Sequence, residues 1–187
     1  EDSNPVICLE HRWLYGLKDR VPQEAYRIPL DKSRVMRKGT DITLIGVSYM
    51  ALECLRAAEI LRQHGVSAEV IDLRSIRPLD ICNIVASVSK TGILLVVDHG
   101  HLIAGISAEI LANLAENPEL SLKVSPARMG LPDYPTPTSP SLADTYYPQA
   151  YEIANRSLKL LGLDETISPL PLKRRLDQPD SSFQGPF

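Results

Sequence analysis

The sequence has few cysteines, no long apolar run and no excess of basic charge, and each absence excludes a class of protein. Its three cysteines, Cys8, Cys54 and Cys82, are far apart and odd in number. They predict reduced, small apolar side chains, and neither a disulfide framework nor a zinc knuckle. No apolar run approaches the ~20 residues that span a bilayer, and no signal peptide is visible. The net charge of -3 offers no basic face to nucleic acid.

These absences predict no nucleic-acid partner and no membrane partner. They favour a cytoplasmic location, or a mitochondrial or plastid matrix if the source is eukaryotic. A hydrophobic content of 44% and a charged content of 23% are ordinary for a soluble globular protein. The length of 187 residues suits one domain with attachments.

Strand and helix patterns alternate through the middle of the chain. Apolar, β-branched runs predict strands, and apolar residues at helical spacing predict helices. The predicted strands are 34–39, 41–47, 67–73, 92–98 and 122–128, and the predicted helices are 49–64, 80–92, 104–116 and 148–161. The first strand is expected to pair antiparallel with the second, because a tight turn joins them. The fold class predicted is an α/β three-layer α/β/α sandwich, with a five-stranded, mostly parallel sheet and one antiparallel edge strand.

Both ends of the chain are expected to be attachments to a domain at 34–165. Residues 1–33 contain one short predicted strand, "PVICLE", that has no sheet of its own to join. The chain begins at Glu1 and not at a methionine, which suggests that something upstream has been removed. The tail, 166–187, is rich in proline and predicts an extended segment. Its basic run "LKRR" is either a solvated surface or a docking site for an acidic partner.

Five segments, in this order, resemble the carboxy-terminal half of a known subunit. They are "NPVICLEHRWLY", "YRIPLDKSRVMRKGTDITLIGVSYM", "GVSAEVIDLRSIRPLD", "SVSKTGILLVVDHG" and "GISAEIL". The chain resembles the beta subunit of the thiamine-diphosphate-dependent 2-oxo-acid dehydrogenase first components, of the pyruvate and branched-chain type. The carboxy-terminal domain of that subunit is shared with transketolase. The resemblance implies that residues 1–33 are the end of a missing pyrimidine-binding domain followed by a linker.

The resemblance also implies what the chain does. It would be the carboxy-terminal assembly domain of an oxidoreductase subunit, supporting oxidative decarboxylation but inactive alone. Its implied partners are an alpha-type subunit, a second beta-type subunit and the acyltransferase core of the complex. In the family, thiamine diphosphate and magnesium are bound by a glutamate of the pyrimidine-binding domain and by a Gly-Asp-Gly segment of another domain. This sequence has no Gly-Asp-Gly, so we expect this chain alone to bind no cofactor and to contain no catalytic, cofactor or metal residue.

The motif "DHGH" raises the question of a site in this chain. His99 and His101 supply two ligands where zinc needs three or four. Their pKa suits acid–base chemistry, but no nucleophile stands beside them in the sequence. A third interpretation is a polar, exposed loop whose histidines hydrogen-bond neighbouring chain or form an interface or a pH-sensitive contact.

Ser48 and Arg74 are the other candidates for a crevice or an interface. "GVSYM" resembles a nucleophile elbow, but Met50 occupies the place of the second glycine. Ser48 is instead expected to cap the next helix, whose free amides could bind an anion. Crevices of α/β sheets form at the carboxyl ends of parallel strands, where Ser48, Arg74, His99 and His101 would all lie. The alternatives to the assembly domain are therefore a free-standing anion- or metabolite-binding regulatory module, or a fragment of another transketolase-superfamily enzyme.

Overall fold

The computed structural model describes residues 4–7, 9–18, 20–143 and 145–169, in which strands alternate with helices. The elements are, in chain order, a 3₁₀ helix (Arg12–Gly16), β1 (Arg34–Arg37), β2 (Ile42–Gly46), α1 (Met50–Gln63), β3 (Ala68–Asp72), α2 (Ile81–Thr91), β4 (Leu94–His101), α3 (Ile106–Ala115), β5 (Ala127–Leu131), α4 (Pro140–Ala143) and α5 (Ala150–Leu160). The predicted tail from residue 170 onward, including "LKRR", lies outside the described residues. Among the residues described, no helix combines the length and the apolar character that crossing a membrane requires.

The five strands form one mixed sheet in the order β1-β3-β2-β4-β5. Strands β2 to β5 are parallel to one another, and β1 is the antiparallel edge strand, which confirms the predicted fold class. The expected neighbour of β1 was wrong, because β1 pairs with β3 and not with β2. The amides of Thr40 and Asp41 both donate to the carbonyl of Ser67, at 3.0 and 2.9 Å. The connection from β1 to β2 therefore crosses the amino end of β3 and places β1 beyond it.

Alternation of side chains along β4 divides the core into two layers. Leu95 and Val97 face one side of the sheet, with the buried side chains of α1 and α5. Leu94 and Val96 face the other side, with those of α2 and α3. Each of these four side chains is fully buried. A strand that is apolar on both faces requires helices on both sides, which is the three-layer arrangement predicted.

Two strand predictions differ from the structure. The last strand begins at Ala127, five residues later than expected. Pro126 precedes it and has no amide to donate to a ladder, while the amide of Lys123 donates to the carbonyl of Gly92 at 2.9 Å. The segment 5–10 is not a strand at the positions that the structure describes there, 5–7 and 9–10.

The ends of α2 match the sequence signals, but the starts of α1 and of α5, which was predicted to begin at Pro148, do not. Asp80 caps α2 by accepting from the amide of Asn83, and Gly92 ends it at a φ of 75°. Gln149 and Glu152 form a reciprocal capping box at the start of α5. The predicted cap of α1 was wrong, since its N-cap is Tyr49 and not Ser48.

Candidate functional site

The carboxyl edge of the sheet carries three residues with left-handed backbone. Ser48 follows β2, Arg74 follows β3 and Ala104 follows β4, with φ of 56°, 56° and 57°. Residues with a Cβ rarely adopt this conformation, which costs about 1–2 kcal/mol. Such strain gathers at functional sites and persists only where the surrounding structure imposes it. The edge at which the sequence predicts a crevice is therefore also an edge where the fold holds strained backbone.

A group of packed aromatic and imidazole rings lies at this edge on the α1 and α5 side of the sheet. We call it the ring cluster, and its members are His11, Trp13, Tyr49, His99 and Tyr147. The first two come from the cap and the first turn of the 3₁₀ helix, the third is the N-cap of α1, the fourth belongs to the end of β4 and the last precedes α5. His99 joins the cluster because it continues the alternation of Leu95 and Val97 along β4.

The ring geometry is that of a packed interior. Tyr49 is 1% exposed and stacks on both imidazoles, with ring centroids 5.4 Å from His11 and 5.8 Å from His99. The ring of Trp13 stands edge-on to Tyr49 at 5.1 Å and to Tyr147 at 5.3 Å. Edge-to-face aromatic pairs at such distances stabilise by about 0.5–1.5 kcal/mol beyond the area that they bury. The cluster therefore fastens the 3₁₀ helix to the sheet domain.

Hydrogen bonds in the cluster have a fixed direction. The backbone N–H of Trp13 donates to Nδ1 of His11 over 3.3 Å. Since this nitrogen accepts, the proton of a neutral His11 is on Nε2, which donates to Nδ1 of His99 over 3.1 Å. The proton of a neutral His99 is then on its own Nε2. That atom is buried and has no hydrogen-bond partner among the described residues.

Both imidazoles of the pair are disfavoured as cations. Burial lowers the pKa of His99 to about 4, and the charge of His11 acts in the same direction. Burial also lowers the pKa of His11 below its ordinary 6.5. A general base works best with a pKa near the working pH, so His99 is poorly suited to proton transfer at neutral pH. The pair is chemically suited to structural hydrogen bonding between neutral rings.

A polar chain extends from the ring cluster to α5. Arg56 donates from Nη1 to the hydroxyl of Tyr49 over 3.3 Å and also to a carboxylate oxygen of Glu53. The other oxygen of Glu53 accepts from the amide of Ala150, the first residue of α5, over 3.0 Å. Glu53 is 5% exposed, and a carboxylate at a helix amino end is favoured by the helix dipole. The same residues that hold Tyr49 in place therefore also anchor α5.

The four predicted candidates do not form one group. Within the part of the chain that the structure describes, no hydrogen bond or ring contact joins any two of Ser48, Arg74, His99 and His101. Arg74 directs its Nε to Asp72, which accepts over 3.1 Å. Burial raises the pKa of Asp72, against the opposing effect of this guanidinium. The guanidinium of Arg74 is therefore partly occupied by a hydrogen bond to Asp72, the last residue of the strand that it follows.

The two histidines of "DHGH" have different environments. His101 is exposed, and its Nδ1 donates to the carbonyl of Pro132 over 3.1 Å. One interpretation of this motif was a loop histidine bonded to neighbouring chain. The bond is present, but His101 is the last residue of β4 and not a loop residue. His99 differs from that expectation, because it is enclosed by the ring cluster. Ser48 is exposed and contributes its carbonyl, which accepts from the amide of Ala51 over 3.0 Å.

The described residues do not fit the diphosphate and magnesium that the resemblance implies for the parent enzyme. No three side chains of His, Cys, Asp or Glu converge on a point that could hold a metal ion in the ranges described. The sequence also has no Gly-Asp-Gly segment. Arg74 faces Asp72, and the histidine pair in contact among the described residues, His11 and His99, is packed between aromatic rings. We therefore derive no catalytic step from this chain.

Sequence reasoning missed His11, Tyr49 and Tyr147 as partners of His99. His11 is 88 positions away from His99, and no periodicity connects a 3₁₀ helix to a strand end. One signal was available, because "EHRW" places an imidazole and the chain's one tryptophan together before a polar connector. Large rings of this kind need a surface to cover them, and an aromatic side chain directly after a strand, such as Tyr49, could supply it.

Comparison with known proteins gives a consistent set of relatives. The family model described as the transketolase C-terminal domain matches residues 31–153. The beta subunit of acetoin:2,6-dichlorophenolindophenol oxidoreductase from Cupriavidus necator is 38% identical over 160 residues, which cover 86% of this chain and 47% of that subunit. The beta subunit of the pyruvate dehydrogenase E1 component from Bacillus subtilis is 40% identical over 161 residues, covering 86% of this chain and 49% of that subunit.

A mammalian relative and a solved structure extend the comparison. The mitochondrial pyruvate dehydrogenase E1 component subunit beta of Mus musculus is 39% identical over 167 residues, covering 87% of this chain and 46% of that subunit. A solved structure described as a split gene transketolase, inactive beta4 tetramer, superposes with a TM-score of 0.65 at 25% identity, covering 75% of this chain and 45% of that one. The chain thus spans about half the length of the curated relatives it matches.

Proposed function

Because this chain belongs to the family of transketolase C-terminal domains, we propose that it is the carboxy-terminal assembly domain of a beta-type subunit of a 2-oxo-acid dehydrogenase. The observation that carries the proposal is the identity of 38–40% to beta subunits over 86–87% of the chain. The match to transketolase is weaker, at 25% identity, which favours the dehydrogenase branch of the superfamily. The parent enzyme would work in the bacterial cytoplasm or in an organelle matrix.

The domain's own contribution would be to position subunits. Among the described residues before β1, five large apolar side chains are more than 70% exposed, namely Val6, Ile7, Leu9, Val21 and Leu30. Exposed apolar side chains of this density are typical of surfaces that another protein covers. The covering surfaces proposed are the preceding pyrimidine-binding domain and the alpha-type and second beta-type subunits, with the acyltransferase core binding the assembled enzyme. Interfaces of this kind typically bury ~1,200 Å² or more.

Thiamine diphosphate and magnesium would be bound by the rest of the parent enzyme. This proposal is supported by two observations: the sequence has no Gly-Asp-Gly segment, and no three His, Cys, Asp or Glu side chains of the described residues converge on a metal position. In the bound state the cofactor would supply the chemistry of decarboxylation. The chain's residues would contribute to that reaction through the placement of the subunits.

Calorimetry and sedimentation test this proposal together. The chain is titrated with thiamine diphosphate and magnesium, and separately mixed with the alpha-type subunit from the same source. We expect no cofactor binding in the micromolar range, and a complex with the alpha-type subunit that Leu9→Glu weakens. The exchange Lys18→Glu, at an exposed residue on the other side of the 3₁₀ helix, serves as the charge-changing control. Micromolar binding of the cofactor by the chain alone would contradict the assembly role.

The substrate class is tested on the complete enzyme. Two of the relatives named above are pyruvate dehydrogenase subunits and one belongs to an acetoin oxidoreductase. We propose a 2-oxo acid as the substrate because two of these three relatives are pyruvate dehydrogenase subunits. Reduction of an artificial electron acceptor with pyruvate and not with acetoin is the expected outcome, and the reverse preference would replace the 2-oxo acid by acetoin while leaving the assembly role intact.

A further inference from the structure

We propose that His11 and His99 form a proton-gated latch, which holds the 3₁₀ helix on the sheet domain while both imidazoles are neutral and releases it when the pair gains a proton. The latch is independent of the proposed function, since it depends only on contacts within this chain. Its basis is the direct bond between Nε2 of His11 and Nδ1 of His99, over 3.1 Å. Tyr49 stacks on both rings and so holds the two imidazoles beside each other.

The number of protons that the pair can hold is set by its hydrogen bonds. The backbone N–H of Trp13 can only donate, and it points at Nδ1 of His11. In the neutral pair, each ring carries one proton on Nε2, and both hydrogen bonds are made. Each of the two unprotonated nitrogens already accepts a hydrogen bond, so the pair has no free nitrogen that could take a further proton.

An added proton must therefore break one of the two bonds. On Nδ1 of His11 it would face the N–H of Trp13, so that two donors would oppose each other. On Nδ1 of His99 it would face the N–H of His11 in the same way. Transfer of a proton from Nε2 to Nδ1 within His11 only returns the conflict to Trp13. No protonated form of the pair keeps both hydrogen bonds, whichever ring takes the proton.

The groups around the pair do not compensate a positive charge. The hydroxyl of Tyr49 accepts from the cationic Arg56, which is paired with Glu53. From the segment before α5, Tyr147 contributes a phenol whose pKa is raised by burial and by Tyr146. Glu10 and Arg12 flank His11 on the exposed chain with opposite charges.

The other acidic and basic groups of β4 and of the loop after it do not approach the histidine pair on its side of the sheet. Asp98 is adjacent to His99 in sequence, but alternation places it on the other face of the sheet. There its carboxylate lies beside Gly100 and Gly105. His101 is exposed and bonded to Pro132. Burial and the neighbouring ring together lower the pKa of His99 to about 4, in agreement with a pair that resists protonation.

The latch holds a segment that has little other cover. Trp13, Leu14 and Leu17 pack against the core that α1 and α5 share. On both sides of them the chain is exposed, at residues 4–7 and 9–10 before the 3₁₀ helix and at 20–32 after it. Release of the ring contacts would therefore free the region that leads into the domain, while the sheet and its helices keep their own cores.

The chain's one tryptophan reports on the latch directly, since Trp13 lies in the ring cluster. Its fluorescence emission and its quenching by acrylamide are followed from about pH 7.5 to about pH 4, with far-UV circular dichroism as a check on the helices. We expect a shift of the emission to longer wavelength and a loss of protection from acrylamide on acidification, with the helical signal retained. Nitrogen-15 NMR of the imidazoles is expected to show both rings protonated on Nε2 at the neutral end, and to titrate together with the tryptophan signal.

Two variants separate the latch from general acid effects. The double variant His11→Asn/His99→Phe keeps a cap for the 3₁₀ helix and a ring at position 99, but has nothing to titrate in the pair, so its tryptophan signal is expected to stay constant. His101→Gln is the matched control and is expected to behave as the wild type. Three outcomes would overturn the latch: protection of Trp13 through the whole titration of the wild type, a neutral ring protonated on Nδ1, or a transition that persists in the double variant.

Discussion

The lowered pKa of His99 predicts by how much the stability of the folded chain decreases as the pH falls. Burial holds the pKa near 4 in the folded chain, against an ordinary 6.5. A histidine whose pKa is lower in the folded state than in the unfolded state binds its proton preferentially when unfolded. Its stabilising effect is therefore complete above about pH 6.5 and is lost as the pH falls toward 4.

The size of the effect follows from the same two values. Each pKa unit corresponds to about 1.4 kcal/mol, so the full difference is on the order of 3 kcal/mol, of which about 2 kcal/mol is lost by pH 5. Urea unfolding at about pH 7.5 and pH 5 measures this loss in the wild type and in His99→Phe. Other titrating groups contribute to both proteins, so the difference between the two losses isolates His99. His101→Gln should lose as much stability as the wild type. Equal losses in the wild type and in His99→Phe would refute the reasoning.

Two further predictions concern packing and polar contacts near the same edge. Glu53→Gln weakens the contacts with Arg56 and with the amide of Ala150, and we expect urea unfolding to show a loss of about 1–3 kcal/mol. Glu59→Gln, which removes an exposed pair with Arg37 and Arg62, should lose less stability than Glu53→Gln, because exposed ion pairs contribute little. A reversed ranking would count against the role of Glu53. Gly46→Ala would place a Cβ 2.4 Å from the Cα of Ala51, so we expect thermal unfolding to show a destabilisation of about 1–3 kcal/mol, and an unchanged melting temperature would contradict the close approach of α1 to β2.

Much of the architecture could be predicted because it depends on local patterns. The continuous apolar run of β4, the cap at Asp80 and the glycine that ends α2 are each read within a few residues, and the structure confirms them. The neighbour of β1 could not be predicted in the same way. A short connection favours a hairpin with β2, but the amides of Thr40 and Asp41 bind the carbonyl of Ser67 and carry the chain past β3.

The candidate site was only partly predictable, because its contacts are non-local. The sequence singled out His99 and the carboxyl edge of the sheet as candidates, and the structure places His99 in the ring cluster at that edge. It could not bring His11 there, since the two residues are 88 positions apart and one of them lies in a segment without periodicity. Nor could it distinguish His99 from His101. The face of a residue at a strand end depends on how far the strand continues, and β4 runs three residues beyond its predicted end.

The arrangement at this edge also bears on the alternative of a regulatory module. In open α/β sheets, ligands usually bind in a crevice outside the carboxyl ends of the strands. In this chain that position, on the α1 and α5 side, is filled by the chain's own rings, with Trp13 packed between Tyr49 and Tyr147. Arg74, the cation that an anionic metabolite would need, already faces Asp72. A ligand could enter on the ring-cluster side only after the 3₁₀ helix has left, so binding there would compete with the contacts that hold His11. The edge that forms a pocket in many α/β proteins is therefore occupied here by contacts between the 3₁₀ helix and the sheet domain, which agrees with the proposed assembly role.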